Sequence, residues 1–144
     1  MAYASNSNAY QVGGGHYQNH GDGLQHWDVM ALLRANYFIG CSTKYLIRFE
    51  KKNGVEDLAK CVHFLKKAHE IGAPKISRLR LWYYKQKVSD WLHENYKESG
   101  FPTYLYIAIK DIFDGKYLDA ANIVMQIMTL YTEATEPTKR YTNQ

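Results

Sequence analysis

The chain has 144 residues, of which 46% are hydrophobic, and this suits one folded domain with a substantial core. Its 22% of charged residues give an ordinary soluble surface, and no apolar run approaches the ~18 residues that a membrane span needs. Two cysteines are too few for a disulfide framework, and no signal peptide is visible. We therefore expect a protein of a reducing cytoplasm.

The formal net charge of +4 is unevenly distributed along the chain. Between Arg34 and Lys87 there are thirteen basic and four acidic residues, whereas the rest of the chain has five basic and ten acidic residues. A basic segment favours an anionic partner, although a solvated helix face would give the same pattern. Thirteen tyrosines add flat rings with polar tips, which suit wet interfaces or stacking on bases.

The two ends of the chain differ from the middle in composition. Residues 1–15 are rich in Ser, Asn, Ala, Tyr and Gly, and we expect a flexible arm there. Residues 133–144 are rich in Thr, Glu and Lys, and we expect a frayed tail. The segment 16–132 between them is predicted to form a single helical domain.

Within that domain the apolar residues recur with a helical period, and no convincing strand is visible. Gly40, Asn53-Gly54, Gly72 and Gly115 are the expected breaks between helices. We predict an all-α, compact bundle of about six helices, and several of these are apolar on more than one side, which favours a homo-oligomer. The predicted helices are 27–39, 42–52 (capped by Ser42), 55–71, 76–98, 103–113 and 117–132.

The second predicted helix places its cations on one face. Lys44, Arg48 and Lys51 follow the spacing i, i+4, i+7, and Lys52 flanks them. Arg48 is suited to fork two phosphate oxygens, with Lys44 as a point charge beside it. A solvated basic face is the alternative. The opposite face is expected to be buried and carries Tyr45, Leu46 and Phe49.

A glycine-rich stretch before the first helix is the second candidate ligand element. Its glycines permit close approach of the backbone to a ligand. They are followed by His16, Tyr17 and Gln18, which offer a hydrogen-bonding ring, a stacking ring and an amide to a base. A mobile arm with incidental polar residues is the alternative.

Several short motifs occur in a specific order: HYQ at 16–18, WDVM at 27–30, FIG at 38–40, KYLIR at 44–48, KNG at 52–54 and EDLAK at 56–60. In this order and spacing the chain resembles the SaV-like phage nucleotide kinase family, formerly a phage domain of unknown function, over about residues 16–71. The chain departs from the family pattern at Phe49, where a small residue is common, and at Cys61, where Ala is common. Residues 75–132 match nothing in that pattern, and we take them as a helical extension.

The resemblance implies a phage protein of the host cytoplasm that binds a nucleoside monophosphate and transfers phosphate to it from an NTP. Asp28 and Asp57 match its acidic positions and are the candidate catalytic residues, while Lys60 matches the last motif. The predicted nucleotide-binding residues are His16, Tyr17, Gln18, Lys44, Tyr45, Arg48 and Lys52.

The chain lacks the known loops of phosphoryl-transfer enzymes, so its enzymatic status is open. The cofactor is unknown. Mg²⁺ is possible if the protein is a kinase, and the ion would then need a carboxylate, for which Asp28 and Asp57 are the candidates. Both lie near predicted helix starts, where the alternative role is compensation of the helix dipole. No protein-bound metal site is predicted, because no helical histidine pair with a Glu base is present.

Two other functions compete with a kinase. One is a non-enzymatic nucleotide sponge that sequesters a host signalling nucleotide, such as a cyclic one, to counter antiphage immunity. The other is a nucleic-acid binder, which the acidic C-terminal half and the absence of a known motif disfavour.

Overall fold

Residues 23–135 are described in a computed structural model of the chain, and they form an all-α structure, as predicted. Within this range there are seven α-helices, a 3₁₀ turn and no strand. The predicted arm and the motif His16-Tyr17-Gln18 lie outside the described residues. The helices are α1 (His26–Leu33), α2 (Tyr37–Arg48), α3 (Val55–Ile71), α4 (Arg78–Tyr83), α5 (Lys85–Tyr96), α6 (Pro102–Phe113) and α7 (Tyr117–Thr135), with the 3₁₀ turn at Phe49–Lys51.

The boundary between α1 and α2 was predicted wrongly. The chain turns at Arg34, which has a left-handed backbone (φ 51°), and Asn36 then caps α2 by accepting from the amides of Phe38 (2.9 Å) and Ile39 (3.1 Å). Gly40, the predicted break, lies inside α2. Ser42, the predicted cap, is buried within α2 and donates to the Ile39 carbonyl.

Helix α3 has the predicted bounds, because two local signals agree there. Its apolar residues repeat with the helical period, and its C-cap Gly72 takes the left-handed conformation (φ 67°) that glycine adopts without strain. The predicted α6 region is also confirmed to within one residue. Helix α7 runs to Thr135, so residues 133–135, predicted as tail, are helical.

The predicted single helix over 76–98 is instead two helices that meet at Tyr84. No glycine or proline marks this break. The aromatic run before it has a modest helix propensity, since bulky rings lose rotamer freedom against the preceding turn. None of the six residues of α4 is buried.

The core is centred on α3, which packs between α2 and α7, while α6 packs against α7 and also contacts α2. The pair α4–α5 lies at the edge, where α4 contacts α1 and α5 contacts α6. Within the part of the chain described, no helix combines the length and the apolar character that crossing a membrane requires. The largest side chains with less than 2% exposure include Phe49, Leu33, Ile39, Leu46, Leu58, Leu65, Ile109, Ile112 and Ile127.

Candidate functional site

A buried ion pair joins the end of α2 to the start of α3. The Arg48 side chain is 11% exposed and the Asp57 side chain is 0% exposed. Arg48 donates from Nε to Asp57 Oδ2 (3.2 Å) and from Nη2 to Oδ1 (3.1 Å), and the Asn53 amide also donates to Oδ2 (3.1 Å). The Arg48 guanidinium, which was predicted to bind phosphate, thus binds a carboxylate through two N–H groups, since both groups are planar.

This pair bears directly on the predicted roles of both residues. Both oxygens of Asp57 are engaged and shielded from solvent, so contact with a ligand or with Mg²⁺ would require the pair to open. The catalytic role of Asp57 and the nucleotide-binding role of Arg48 stay predictions.

Three cations surround the ring of Tyr45. Lys44 Nζ and Arg48 Cζ each lie 4.6 Å from the ring centroid, and Lys60 Nζ lies 5.5 Å from it. Cations at this range are attracted to the electron-rich face of the ring. The Tyr45 cluster, as we call Lys44, Tyr45, Arg48 and Lys60, therefore concentrates positive charge from two helices in one place.

The cluster corrects part of the predicted burial pattern. Leu46 and Phe49 are buried as expected, but Tyr45 is only half-buried and lies with the cations. Lys51 follows α2 in the 3₁₀ turn, where it is exposed, and it has no contact with the Tyr45 ring among those described. Lys52, a predicted nucleotide-binding residue, is exposed just after that turn.

Among residues 23–135, few acidic side chains lie near the cluster. Asp57 is paired with Arg48, and Glu56 approaches Lys60 (3.2 Å) in an exposed pair of the kind that contributes little stability. No acidic residue within 23–135 forms a salt bridge with Lys44. Lys44 is thus the cation of the cluster best placed to exchange water for an anion.

The positive charge of Lys44 affects the pKa of His26 in α1. His26 Nε2 lies 2.7 Å from the hydroxyl of Thr43, which is fully buried and donates to the Ile39 carbonyl. Burial, and then the positive charge of Lys44, lower the pKa of His26 to about 4. His26 is therefore neutral at pH 7 and adds no charge of its own.

An aromatic run extends from the cluster towards the start of α2. Phe64 of α3 stacks on Tyr45 (centroids 5.8 Å apart, planes at 19°) and meets the edge of Tyr37 (5.8 Å). Tyr37 is 68% exposed, so most of its ring is open to solvent. We call Tyr37, Phe64 and Tyr45 the aromatic run.

Asp28 occupies a different place. It accepts the Gln25 amide (2.8 Å) and so caps the first turn of α1, whereas α2 and α3 build the Tyr45 cluster. Its catalytic role stays a prediction. Among residues 23–135, no three His, Cys, Asp or Glu side chains converge in a way that could hold a metal ion.

Sequence reasoning matched Lys60 to a motif but did not place it in the site. Its approach to Tyr45 depends on how α2 and α3 are aligned against each other, which no local spacing reveals. The one available signal was the short turn between the two helices, because antiparallel neighbours bring residues at equal distances from a turn together.

Comparisons with protein-family models, with curated proteins and with solved structures find no match for this chain. The resemblance to the SaV-like phage nucleotide kinases therefore stays a prediction drawn from the motifs.

Proposed function

We propose that this protein binds a nucleotide on the face formed by α2 and α3. The observation that carries the proposal concerns the described residues 23–135. Three of their cationic groups lie within 5.5 Å of the centre of one tyrosine ring, and one buried carboxylate is paired with them. Concentrated cations with little compensating charge attract phosphate.

The phosphate contacts are assigned chiefly to two lysines. Lys44 has no salt-bridge partner within 23–135, and Lys60 has only the exposed Glu56, which competes weakly with a doubly charged phosphate. Arg48 is held in place by Asp57 and keeps its charge close to the ring. In this assignment Asp57 positions Arg48 and does not touch the ligand.

The base is assigned to the exposed end of the aromatic run. The ring of Tyr37 is largely open to solvent and is supported from below by the edge contact with Phe64. Stacking of a base on such a ring contributes about 1–3 kcal/mol and tolerates any base. A base on Tyr37 and a phosphate at Lys44 would lie at the two ends of one continuous surface.

The resemblance predicts phosphoryl transfer to the bound nucleotide. Transfer relies on neutralising the charge of the phosphates and on a carboxylate that holds Mg²⁺. Of the two candidates, Asp28 caps α1 and Asp57 is enclosed with Arg48. These placements favour the second candidate function, a sponge that sequesters a host signalling nucleotide without altering it.

Binding is tested by titrating the full chain with mononucleotides and cyclic nucleotides in a calorimeter. We expect Lys44→Gln and Lys60→Gln each to weaken affinity about tenfold, since one charge-assisted hydrogen bond contributes ~1.5 kcal/mol or more. Lys66→Gln is the matched control, because Lys66 is an exposed lysine of α3 outside the Tyr45 cluster. Equal affinities of all three variants and the parent would refute this site.

Transfer and sequestration are separated by incubating the protein with labelled nucleotide, an NTP and Mg²⁺, and then chromatographing the products. A new diphosphate identifies a kinase. Unchanged nucleotide that is released only on denaturation identifies a sponge.

A further inference from the structure

We propose that the cleft between α5 and α6 binds a single-chain fatty acid, with the alkyl chain lying along α5 and the carboxylate beside Lys85 and Lys110. The cleft has a volume of about 370 Å³. Small-molecule sites in proteins span roughly 300–1,000 Å³, so the cleft is large enough for one ligand.

The cleft is long and runs parallel to α5. Five residues of α5 line it, from Lys85 to Tyr96, and their spacing places them on one face of the helix. Eleven residue steps along a helix correspond to ~16 Å. An extended hydrocarbon chain fits along a groove of that length.

The two ends of the cleft differ in chemistry. At the end near the α5–α6 connection, Tyr96 meets the edge of Tyr106, with centroids 6.3 Å apart. Since α6 runs back along α5, Lys110 and Asp114 of α6 line the other end, together with Lys85. The chain connection thus makes one end aromatic and uncharged and the other end cationic.

Apolar side chains form the floor between these ends. Val88, Leu92 and Phe113 are 4–8% exposed, so each offers a small apolar surface to the cleft without leaving the core. Such a floor matches methylene groups and offers a polar ligand few partners. Ser89 also lines the cleft and is exposed.

The charged end favours an anion. Among the residues that line this end there are two lysines and one aspartate, and neither lysine forms a salt bridge with an acid of the described segment. Asp111 does not line the cleft but lies within electrostatic range of Lys110. Lys85 rests against the Trp82 ring, with its Nζ 5.8 Å from the centroid. A carboxylate on an apolar chain is the simplest ligand that satisfies both the floor and this end.

The first test is calorimetric titration of the full chain with saturated fatty acids of increasing length, starting with octanoate. Affinity is expected to rise about twofold for each added methylene, because a methylene in an open cleft is buried on one side only. The rise should level off near thirteen carbons, because an extended chain advances ~1.2 Å per bond and the cleft then ends. Dodecanol should bind more weakly than dodecanoate.

The second test uses variants at exposed positions, which keep the fold. Ser89→Phe should fill the cleft and abolish dodecanoate binding, and Lys85→Gln with Lys110→Gln should weaken it about fivefold. Lys87→Gln should bind like the parent, since Lys87 is an exposed lysine of α5 outside the cleft.

Three results would overturn the proposal. These are no saturable binding of dodecanoate, equal binding by Ser89→Phe and the parent, or a concentration-dependent dimer that Ser89→Phe disrupts. The last would assign the cleft to a second copy of the chain. Because the cleft is separate from the Tyr45 cluster, nucleotide titrations of Ser89→Phe distinguish failure here from failure of the nucleotide site.

Discussion

The pairs α2–α3 and α5–α6 are both antiparallel helices joined by short connections, yet solvent reaches their interfaces differently. We call the interface of a pair its seam. The α2–α3 seam is sealed, which means that solvent is excluded from it, and even the carboxylate of Asp57 is buried there beside Arg48. Between α5 and α6 the seam stays open, and the core residues Val88, Leu92 and Phe113 remain accessible at the bottom of a cleft.

This difference follows from the neighbours of each pair. Helix α3 is held on both sides, by α2 and α7, whereas α5 makes fewer contacts, with α4, with α6 and through Trp91 with His26 of α1. The sealed pair can present a ligand site only on its outer surface, where its cations and tyrosines lie. The open pair presents a site inside its seam, where the surface is apolar. The same supersecondary unit thus supports an anion site in one place and an apolar site in another.

The largest expected effect comes from breaking the seal of α2–α3. Arg48→Ala leaves the buried Asp57 without its cation, which should lower the free energy of unfolding by about 3–5 kcal/mol. Urea unfolding followed by circular dichroism measures this. Lys67→Ala, which breaks the exposed pair with Glu70, is the control and should cost below ~1 kcal/mol.

The double variant Arg48→Met/Asp57→Leu sharpens this test. Replacing both charges by apolar groups of similar size removes the unpaired carboxylate, so most of the lost stability should return. If Arg48→Ala is no more harmful than Lys67→Ala, the seam between α2 and α3 is not sealed in solution.

The sequence predicts much of the fold, and it singles out both Arg48 and Asp57, but it does not predict that they form an ion pair. Helix α3 was predicted correctly because its apolar spacing and Gly72 agree. The α1–α2 boundary was missed because Arg34, a non-glycine residue, takes the left-handed conformation while Gly40 is helical. The break at Tyr84 is marked by no glycine or proline, only by an aromatic run of modest helix propensity.

The site shows the same division between local and long-range information. That Lys44 and Arg48 share a face is a property of one helix, and spacing alone predicts it. That Arg48 meets Asp57, and that Lys60 reaches Tyr45, are properties of two helices in register. The α5–α6 cleft likewise depends on how the neighbouring helices pack around α5. The sequence of α5 alone does not reveal that packing.

A second prediction concerns His26, which touches both helix pairs. It contacts Thr43 of α2, and its ring centroid lies 6.1 Å from that of Trp91 of α5. The lowered pKa of about 4 means that the unfolded chain takes up this proton first as pH falls from the ordinary value of 6.5. The contribution of His26 to the free energy of unfolding is therefore fully present above about pH 6.5. It is lost between pH 6.5 and pH 4, by roughly 3 kcal/mol in all.

Urea unfolding at a series of pH values measures this loss, and NMR titration of the imidazole measures the pKa directly. His26→Gln should flatten the profile between pH 6.5 and pH 4, whereas His63→Gln, at an exposed site, should leave it unchanged. Lys44→Gln should raise the pKa of His26, because it removes the charge that helps to lower it. An unchanged pKa in that variant would show that the charge of Lys44 does not reach His26.

The smallest expected effect lies where the two pairs meet. Glu50, in the 3₁₀ turn after α2, accepts the hydroxyl of Ser99 and the amide of Gly100 (2.9 Å), both in the connection between α5 and α6. Glu50→Gln should cost about 1 kcal/mol, because the contact is exposed and a neutral acceptor binds an amide more weakly than a carboxylate does. Hydrogen exchange should locate the loss, with faster exchange at the Gly100 amide and in α5 and unchanged protection in α3. If protection falls equally in both helices, the two pairs unfold as one unit, and the open seam of α5–α6 is as rigid as the sealed one.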